Sequence, residues 1–285
     1  MGINQSNETI MCTESMDDGV YYYAIFHEEP FVSGACRDVY RGILKCNEDM
    51  RDRARYNKSP VVVKVFKRQY AKDFGPWNAD ISASKTANKY AILFNSKEFV
   101  NRTLLFSIPY VAKMDTKAKA VLLELMNINE EKGMKDNRIG SNKYVSMEEY
   151  IHGEYIKFNS NNGYVNNAAN SSTISTFSHW TYHKSNGALL ICDIQGVVKD
   201  KNYRLCDPAI HSEKGGVYGL TDLGVLGQAK FFETHKCNDI CKDWKKIELT
   251  RKLRQQMFEL EADEHTTFLF QVSVDIKIEE KEEEQ

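Results

Sequence analysis

Residues 189–241 carry side chains that could hold a metal ion and phosphates. Asp193, Gln195 and Asp207 place carboxylate and amide oxygens at and after the end of an apolar run. Mg²⁺ prefers such oxygen ligands and usually shares them with waters and substrate phosphates. An aspartate at a strand end and another in a turn before proline are also common without a ligand. The triplet by itself therefore leaves both interpretations open.

A glycine-rich stretch follows this triplet. Its glycines are Gly215, Gly216, Gly219, Gly224 and Gly227. Glycine allows backbone N–H groups to come close to a phosphate or a peptide. The Asp-Leu-Gly triplet at 222–224 invites comparison with the metal-binding DFG triplet of ordinary protein kinases. That comparison fails on context, because no H-R-D precedes the triplet and no A-P-E follows it.

A histidine and two cysteines with metal-ligand spacing end the stretch. Cys237 and Cys241 are four residues apart and would share a helix face. His235 would point elsewhere unless the helix began or bent near Lys236. Structural zinc takes four nitrogen or sulfur ligands, and His179 is the candidate for the fourth. The alternative is two ordinary thiols and a core histidine.

One strong strand earlier in the chain carries a lysine on an apolar face. Alternation in residues 60–66 places three valines on one face and Lys64 on the other, between Val62 and Phe66. Such a lysine is not typical of a solvated surface. A lysine of an edge strand, with its ammonium group reaching water, is the alternative to a functional lysine.

Composition limits the classes of protein to which the chain can belong. The 285 residues are 42% hydrophobic and 27% charged, with a net charge of -2 and seven cysteines. The charge provides no general basic field, so a nucleic-acid partner is not expected. No apolar run approaches the roughly 18 residues of a membrane span. Without an export signal, we expect a cytoplasmic protein with reduced thiols, in which a close cysteine pair indicates metal binding.

The hydrophobic pattern predicts an α+β domain of two lobes with disordered ends. We expect a flexible acidic tail over 1–19, an N-terminal lobe over 20–147 and a C-terminal lobe over 148–262. Residues 263–285 form an extension with a strand-like piece at 268–272 and an acidic end. Gly2 and Ser6 fit the pattern for N-myristoylation, which is short and often matches by chance.

Taken together, these motifs closely resemble the alpha-kinase family of atypical protein kinases. The resemblance runs from about Tyr21 to Trp244, through PFVSGACRDVYRG, VVVKVF, MEEYIHGEYIKFNSNNGYV, FSHWTYH, ICDIQGV, CDPAIHS, GLTDLGVLGQAKFF and HKCNDIC. The third of these motifs is most similar to the elongation factor 2 kinase branch. The resemblance implies a two-lobed α+β kinase fold with a structural zinc in the C-terminal lobe.

The resemblance also implies roles for individual residues. Asp193 would be the catalytic aspartate, assisted by Lys64 on the ATP phosphates, with Gln195 and Asp207 binding Mg²⁺. The remaining nucleotide and peptide contacts would come from Arg37, Glu148, Ile151, Lys157, Gly219, Gly224 and Gly227. Structural zinc would be held by His179, His235, Cys237 and Cys241. ATP, Mg²⁺ and Zn²⁺ are thus the expected cofactors.

The chain departs from the family pattern at one place. The segment between Gln195 and Asp207, GVVKDKNYRLC, is longer than in the family. If the added residues project harmlessly, the kinase is intact. If they displace Asp207, the chain is a weak kinase or a zinc-stabilised pseudokinase that binds nucleotide or peptide. A zinc hydrolase is disfavoured because four available ligands leave no open metal position.

The expected activity is transfer of phosphate from Mg·ATP to serine or threonine of a protein. Elongation factor 2 or a myosin-like protein is the substrate that the resemblance implies. Direct calmodulin binding is not expected, because the first nineteen residues are acidic rather than basic and amphipathic.

Overall fold

The computed structural model describes eight segments of the chain, and these form two compact units. The segments are 8–14, 21–27, 29–34, 36–46, 59–67, 75–114, 144–166 and 171–262. The first unit comprises Met1–Trp77 and Pro109–Tyr150, and the second comprises Asn78–Ile108 and Ile151–Gln285. Among the described residues, no helix is long and apolar enough to cross a membrane.

The first unit is an antiparallel β-structure that closes on itself. Its strands run in the order β2-β1-β7-β8-β5-β4-β3, and β2 also pairs with β4. The bounds are β1 Glu8–Glu14, β2 Tyr21–His27, β3 Val32–Ser33, β4 Arg37–Cys46, β5 Ser59–Phe66, β7 Tyr110–Met114 and β8 Tyr144–Glu149. Closure pairs the strands that would otherwise be exposed edges.

Alternation along β5 determines what faces the interior of the first unit. Val61, Val63 and Val65 are buried in one apolar cluster with Met147 and Phe26, as the period-2 pattern predicts. The other face of β5 carries the lysine. Residues of β4 and β8 that are paired with β5 share that face.

In its described residues, the second unit combines four helices with two small sheets. Its helices are α1 Gly75–Asn95, whose first turn belongs to the first unit, α2 Ser171–Lys184, α3 Gly224–Thr234 and α4 Arg251–Ala262. Its strands are β6 Thr103–Phe106, β9 Tyr155–Lys157, β10 Leu189–Cys192, β11 Gln195–Lys199, β12 Asn202–Cys206 and β13 Ala209–Ser212. One sheet has the order β6-β12-β11-β9, and β10 pairs with β13.

The core of the second unit forms where α1 and α2 cover the four-stranded sheet. The buried face of α1 presents Ala83, Ala87, Ala91 and Phe94 at helical spacing. The Phe94 ring lies in edge contact with Phe177 of α2, with centroids 5.4 Å apart. Small residues along α1 therefore let the helix lie close to the sheet, and one aromatic residue closes the end of the contact.

Several expectations about boundaries are corrected here. Residues 8–14 form β1, paired along its whole length with β2, so the predicted tail over 1–19 is wrong in this part. Pairing of the backbone with β2 outweighed the acidic composition. Residues 78–108 group with the second unit rather than with an N-terminal lobe over 20–147, because α1 packs into that core. Gly2, Ser6 and the 268–272 strand lie outside the described residues.

Candidate active site

Lys64 forms a buried ion pair with Glu148. The Lys64 side chain is 5% exposed and Glu148 is 6% exposed, and Nζ lies 2.9 Å from Oε1. In the β5–β8 register Lys64 faces Ser146, so the pair is diagonal on one face of the sheet. Because β5 lies between β4 and β8, the edge-strand alternative for this lysine is excluded.

Arg37 shares that face of the sheet. It is the first residue of β4 and lies opposite Phe66 in the register, two positions along β5 from Lys64. Its guanidinium carbon lies 5.2 Å from the Phe66 ring centroid. Just before this strand, the Gly34 N–H donates to Arg37 O at 2.8 Å.

Four predicted residues come together in the second unit. Lys157 Nζ lies 2.8 Å from Oδ1 of Asp193, which follows β10 directly. Gln195 lies opposite Lys157 on one side and opposite Cys206, the neighbour of Asp207, on the other. Opposite residues in an antiparallel ladder have Cα atoms about 5 Å apart. The register therefore gathers two carboxylates, an amide and an ammonium group around the start of β11.

The longer segment between Gln195 and Asp207 is a regular hairpin. β11 and β12 pair from Gln195↔Cys206 to Lys199↔Asn202, which leaves a two-residue turn. β12 also pairs in parallel with β6, and Tyr203 is fully buried in the core. Since both strands return in register, Cys206, and with it the backbone of Asp207, stays next to Gln195. Of the two alternatives, the structure favours the one in which this segment does not displace Asp207.

Asn159 fixes the backbone between Asp193 and Gln195. It is 1% exposed, and its Oδ1 accepts the N–H of Ile194 at 2.8 Å while its Nδ2 donates to Ser178 Oγ of α2 at 3.2 Å. Asp193 itself has φ 52, in the left-handed region that costs a non-glycine residue free energy. The Asn159 bonds help to hold this conformation.

Asp222 organises the glycine-rich stretch from within. Its Oδ1 accepts N–H groups of Ser212 at 2.8 Å and Gly224 at 3.1 Å, and its Oδ2 accepts Ser212 Oγ at 2.7 Å and Tyr218 N–H at 3.2 Å. A carboxylate that accepts four bonds is fully used in holding a loop. At Gly224, φ is 64, and a Cβ would lie 3.1 Å from Gly215 Cα, so glycine is required there.

His211 connects the start of α3 to the loop that contains Asn161. It is fully buried. Its Nε2–H donates to Asn161 O at 2.8 Å, and its Nδ1 accepts the Leu223 N–H at 3.1 Å. This pattern requires the neutral ring, and burial lowers the pKa of His211 in agreement with it. Gly227 packs directly against the ring.

The predicted zinc ligands converge in the second unit. The ligand atoms of His179, His235, Cys237 and Cys241 all lie within 4.8 Å of one another. His179 Nδ1 is 3.1 Å from His235 Nε2 and 3.9 Å from Cys237 Sγ, and Cys241 Sγ is 3.6 Å from His235 Nε2. Helix α3 ends at Thr234, and His235 is extended at φ -67 and ψ 125. The helix therefore stops before His235 rather than bending near Lys236.

Asn238 shapes the turn between the two cysteines. Its Oδ1 accepts the N–H groups of Ile240 at 3.0 Å and Cys241 at 3.2 Å, and its Nδ2 donates to Thr176 Oγ1 of α2 at 2.8 Å. This ties the cysteines to the helix that carries His179. His179 Nε2–H donates to Lys245 O at 3.1 Å, which leaves Nδ1 with its lone pair towards the cluster. Burial lowers the pKa of His179 and His235 to about 4.

The predicted residues are thus divided between the two units. Arg37, Lys64 and Glu148 belong to the first unit. The second unit contains Asp193 with its neighbours, the histidine–cysteine cluster and the glycine-rich stretch. Ile151, half-buried, is the first residue of the second unit beyond β8. Gly219 precedes Asp222 and accepts its N–H at 3.2 Å.

Comparison with known proteins identifies the family. The sequence profile of the alpha-kinase family matches residues 32–241. The chain belongs to the alpha-kinase family. Alpha-protein kinase vwkA of Dictyostelium discoideum is 35% identical over 220 residues, which cover 75% of this chain and 30% of that protein. The elongation factor 2 kinase of Caenorhabditis elegans is 46% identical over 96 residues, 34% of this chain and 12% of the relative.

Solved alpha-kinase structures share the fold. An alpha-kinase from Entamoeba histolytica superposes with a TM-score of 0.63 at 23% identity, over 87% of this chain and 94% of the other. The inactive alpha-kinase domain of myosin heavy chain kinase A in complex with ATP gives a TM-score of 0.62 at 24% identity, over 86% and 100%. The match with vwkA, by contrast, spans less than a third of that relative's length.

The residues of this alpha-kinase that the sequence analysis missed are side chains that hold the backbone by hydrogen bonds. Asn159 and Asn238 were not among the candidates, although asparagine commonly bonds nearby backbone in turns. Asp222 was set aside when the DFG comparison failed, and His211 drew no notice. The turn propensity of asparagine was the available signal, while their long-range partners become visible only in the folded chain.

Proposed function

We propose that this alpha-kinase transfers the γ-phosphate of ATP to serine or threonine hydroxyls of a protein. The observation that supports this most directly is the pairing of β9, β11 and β12. It gathers Asp193, Lys157, Gln195 and the neighbour of Asp207 in one place. Carboxylates and an amide in such proximity suit a magnesium-bound triphosphate and an adjacent hydroxyl.

The first unit supplies cationic groups for the nucleotide. Lys64 would contact the α- and β-phosphates, and Arg37, on the same face of the sheet, would add a second contact. Glu148 holds the Lys64 ammonium group in position by the 2.9 Å ion pair. A lysine fixed in this way loses little conformational freedom when the phosphate binds. Ile151 would line the base-binding region just beyond β8.

Asp193 would orient the substrate hydroxyl. In the transfer, the hydroxyl oxygen forms a bond to Pγ, the bond from Pγ to the β–γ bridging oxygen breaks, and ADP leaves. The hydroxyl proton passes to the Asp193 carboxylate. Lys157 holds that carboxylate through its 2.8 Å contact. Bound Mg²⁺, with Gln195 and Asp207 as its protein ligands, would neutralise charge on the phosphates.

The glycine-rich stretch would form the peptide- and phosphate-binding face. Asp222 and His211 hold its backbone in place, and Gly219, Gly224 and Gly227 would provide the close backbone packing that this face needs. Solved complexes support nucleotide binding by the family: structures of the myosin heavy chain kinase A domain contain ATP, ADP and AMP-PNP. Those ligands belong to that protein, and we extend ATP binding to this chain as part of the proposal.

We also propose a structural zinc in the histidine–cysteine cluster. Zinc bonds of about 2.0–2.3 Å place tetrahedral ligands roughly 3.3–3.8 Å apart, close to the separations in the cluster. The lowered pKa of both imidazoles keeps them neutral, as a metal ligand must be. Four protein ligands would close the site to water, so the zinc would connect α2 to the segment after α3.

For the substrate, we propose elongation factor 2 or a myosin-like protein. Relatives named elongation factor 2 kinase and myosin heavy chain kinase B match parts of this chain at 46% and 43% identity. The proposal places the protein in the cytoplasm and includes no direct calmodulin binding. The segments that these relatives share with this chain support phosphate transfer more strongly than they support a choice between the two substrates.

Transfer of labelled phosphate from ATP tests the proposed function. The wild type, Asp193→Ala and Lys64→Ala would be assayed on elongation factor 2, on myosin heavy chain and on a generic basic protein. We expect both variants to lose at least about 99% of the transfer, since each removes a group needed for charge or orientation. Asp200→Ala, in the exposed turn of the same hairpin, is the matched control and should keep wild-type rates.

Two outcomes would contradict the proposal. Wild-type activity in Asp193→Ala would remove that residue from the chemistry. Nucleotide binding by calorimetry without transfer to any protein, in Mg²⁺, would instead identify a pseudokinase that serves as a binding module. Circular dichroism of each variant separates loss of chemistry from loss of folding.

A further inference from the structure

The strand that leads to Asp193 is bonded to helix α2. Among the described strands, β10 pairs only with β13. The N–H of Ile191 in β10 donates instead to Thr181 Oγ1 of α2 at 3.0 Å, and the Thr181 hydroxyl donates to Ser178 O at 2.7 Å. The hydroxyl of Thr181 therefore accepts a backbone N–H that would otherwise be buried without a partner.

The residue that follows Asp193 is bonded at both of its backbone polar groups. The Ile194 N–H donates to Asn159 Oδ1 at 2.8 Å, and Ile194 O accepts the Phe158 N–H at 2.9 Å. Asp193 has φ 52, a conformation that a non-glycine residue keeps only when its surroundings hold it. The backbone of Asp193 is thus fixed from both sides.

Helix α2 also holds Asn159. The Asn159 Nδ2 donates to Ser178 Oγ at 3.2 Å, and both side chains are buried. Asn159 comes two residues after Lys157, whose Nζ lies 2.8 Å from Asp193 Oδ1. The segment 157–159 therefore contacts both the carboxylate of Asp193 and the backbone beyond it, and α2 fixes the end of this segment.

The buried hydroxyls of α2 are explained by these bonds rather than by helix formation. Serine and threonine form helices less readily than alanine or leucine, and a buried hydroxyl costs free energy unless it is hydrogen-bonded. Ser178 and Thr181 are both fully buried, and at a spacing of three residues they lie on one side of the helix. That side is the one from which α2 bonds the backbone around Asp193.

We propose that Asn159, Ser178 and Thr181 are positioning residues for phosphate transfer, which set the backbone of Asp193 from α2. This inference rests on the proposed function, in which Asp193 orients the substrate hydroxyl. The three residues act through Asp193 and have no contact with the nucleotide. A shift of about 1 Å in an orienting group can cost about a hundredfold in rate. Loss of these bonds therefore lowers kcat and leaves the KM for ATP unchanged.

A pair of substitutions at Thr181 separates the hydroxyl from the volume of the side chain. Thr181→Val removes the acceptor of the Ile191 N–H with little change in volume, whereas Thr181→Ser keeps the hydroxyl and removes a methyl group. We expect kcat to fall about tenfold in Thr181→Val, with the KM for ATP within about twofold of the wild-type value. Thr181→Ser should retain the wild-type kcat within about twofold.

Substitutions at the other two residues test whether they act along one route. Asn159→Ala should lower kcat about a hundredfold, and Ser178→Ala should lower it less, because the Ile194 bond to Asn159 remains. The double variant should have the kcat of Asn159→Ala alone, since Ser178 acts through Asn159.

Asn95→Ala is the matched control for a lost asparagine. Asn95 of α1 also bonds backbone in the second unit, with its Nδ2 donating to Leu104 O at 2.8 Å and its Oδ1 accepting the Leu104 N–H at 3.0 Å. Its removal should lower the temperature of thermal unfolding but keep kcat. An equal fall of kcat in Asn95→Ala would reduce the effect to general destabilisation and overturn the proposal. Wild-type kcat in Thr181→Val or Asn159→Ala, or an equal loss in Thr181→Ser, would also overturn it.

Amide hydrogen exchange tests the same bonds without the transfer assay. Exchange of the Ile191 amide should accelerate about tenfold in Thr181→Val, and exchange of the Ile194 amide should do so in Asn159→Ala, while circular dichroism shows both variants folded. A wild type that transfers no phosphate would refute the proposed function. The exchange rates then still decide whether α2 fixes the backbone of Asp193: faster exchange supports this, and unchanged exchange at both amides overturns it.

Discussion

At the scale of single residues, burial requires the polar groups of the candidate site to be paired or hydrogen-bonded. A buried charge is tolerated only when it is paired, and Lys64 with Glu148 meets this condition. Asp222 is likewise buried and bonded on both oxygens. Such groups are fixed before any ligand arrives. Their positions are therefore set by the folded chain itself.

The Lys64–Glu148 pair leads to a prediction about stability. Lys64→Met or Glu148→Leu alone should lower the free energy of unfolding by about 3–5 kcal/mol, because each leaves a buried charge without its partner. The double variant should cost much less than the sum. Urea unfolding of the wild type, the two single variants and the double variant measures the coupling energy between Lys64 and Glu148.

Lys67→Met is the control: its partner Asp38 lies 3.9 Å away at a partly exposed site, so the free energy of unfolding should fall by less than about 1 kcal/mol. Additive costs would contradict the interpretation.

At the scale of elements, the β11–β12 hairpin determines the position of the metal-ligand candidates. Gln195 begins one strand, and Asp207 follows the other. Their approach depends on register, since a slip by one residue would turn every side chain to the opposite face. Parallel pairing with β6 and the buried Tyr203 ring hold that register. The segment after Gln195 is therefore part of the core.

Gly196 provides the test of this element. Its φ is 148, and a Cβ there would collide with the backbone of Arg204 and Leu205 across the hairpin. Gly196→Ala should cost about 3 kcal/mol and reduce phosphate transfer, because it pushes β12 away from Gln195. Gly216→Ala is the matched change, with φ 71 but no atom within 4 Å of the new Cβ. It should cost only about 1 kcal/mol. Thermal unfolding and transfer rates check both; equal costs would refute the steric argument.

At the scale of the whole molecule, the chain forms two units, each with its own apolar core. The first unit builds an apolar interior from β-strands, and the second unit builds its own from helices and two sheets. The histidine–cysteine cluster belongs to the second unit alone. A metal in the cluster would connect α2 to the segment after α3, and its effect should be confined to that unit.

Removal of metal should therefore weaken one unit and spare the other. The purified protein should contain about one zinc per chain, held at four protein ligands. Chelation, or Cys241→Ser, should increase amide hydrogen exchange in α2, α3 and residues 235–245. The strands of the first unit should keep their protection, because no ligand lies there. His183→Ala, which removes a ring stacked on Trp244 but no ligand, should retain the metal. Uniform loss of protection, or absence of zinc, would contradict this prediction.

Much of the site was predictable because its signals are local. A lysine inside an apolar strand, a cysteine pair four apart and ordered motifs along the chain can all be recognised without coordinates. The pairing of Glu148 with Lys64 was not predictable, since the two residues are 84 positions apart in the sequence and meet only through β5–β8 pairing. The partners of His211 and Asp222 escaped notice for the same reason.

The sequence by itself determined the family, the candidate ligands and the alternation that buries one face of β5, because these depend on residue type and short spacing. Tertiary structure alone decided three other points. It turned residues 8–14 into a paired strand, assigned α1 to the second unit and made the long segment after Gln195 a hairpin in register. Each of these depends on which distant strand or helix supplies a partner for backbone hydrogen bonds and apolar surface, and a single sequence does not specify that partner.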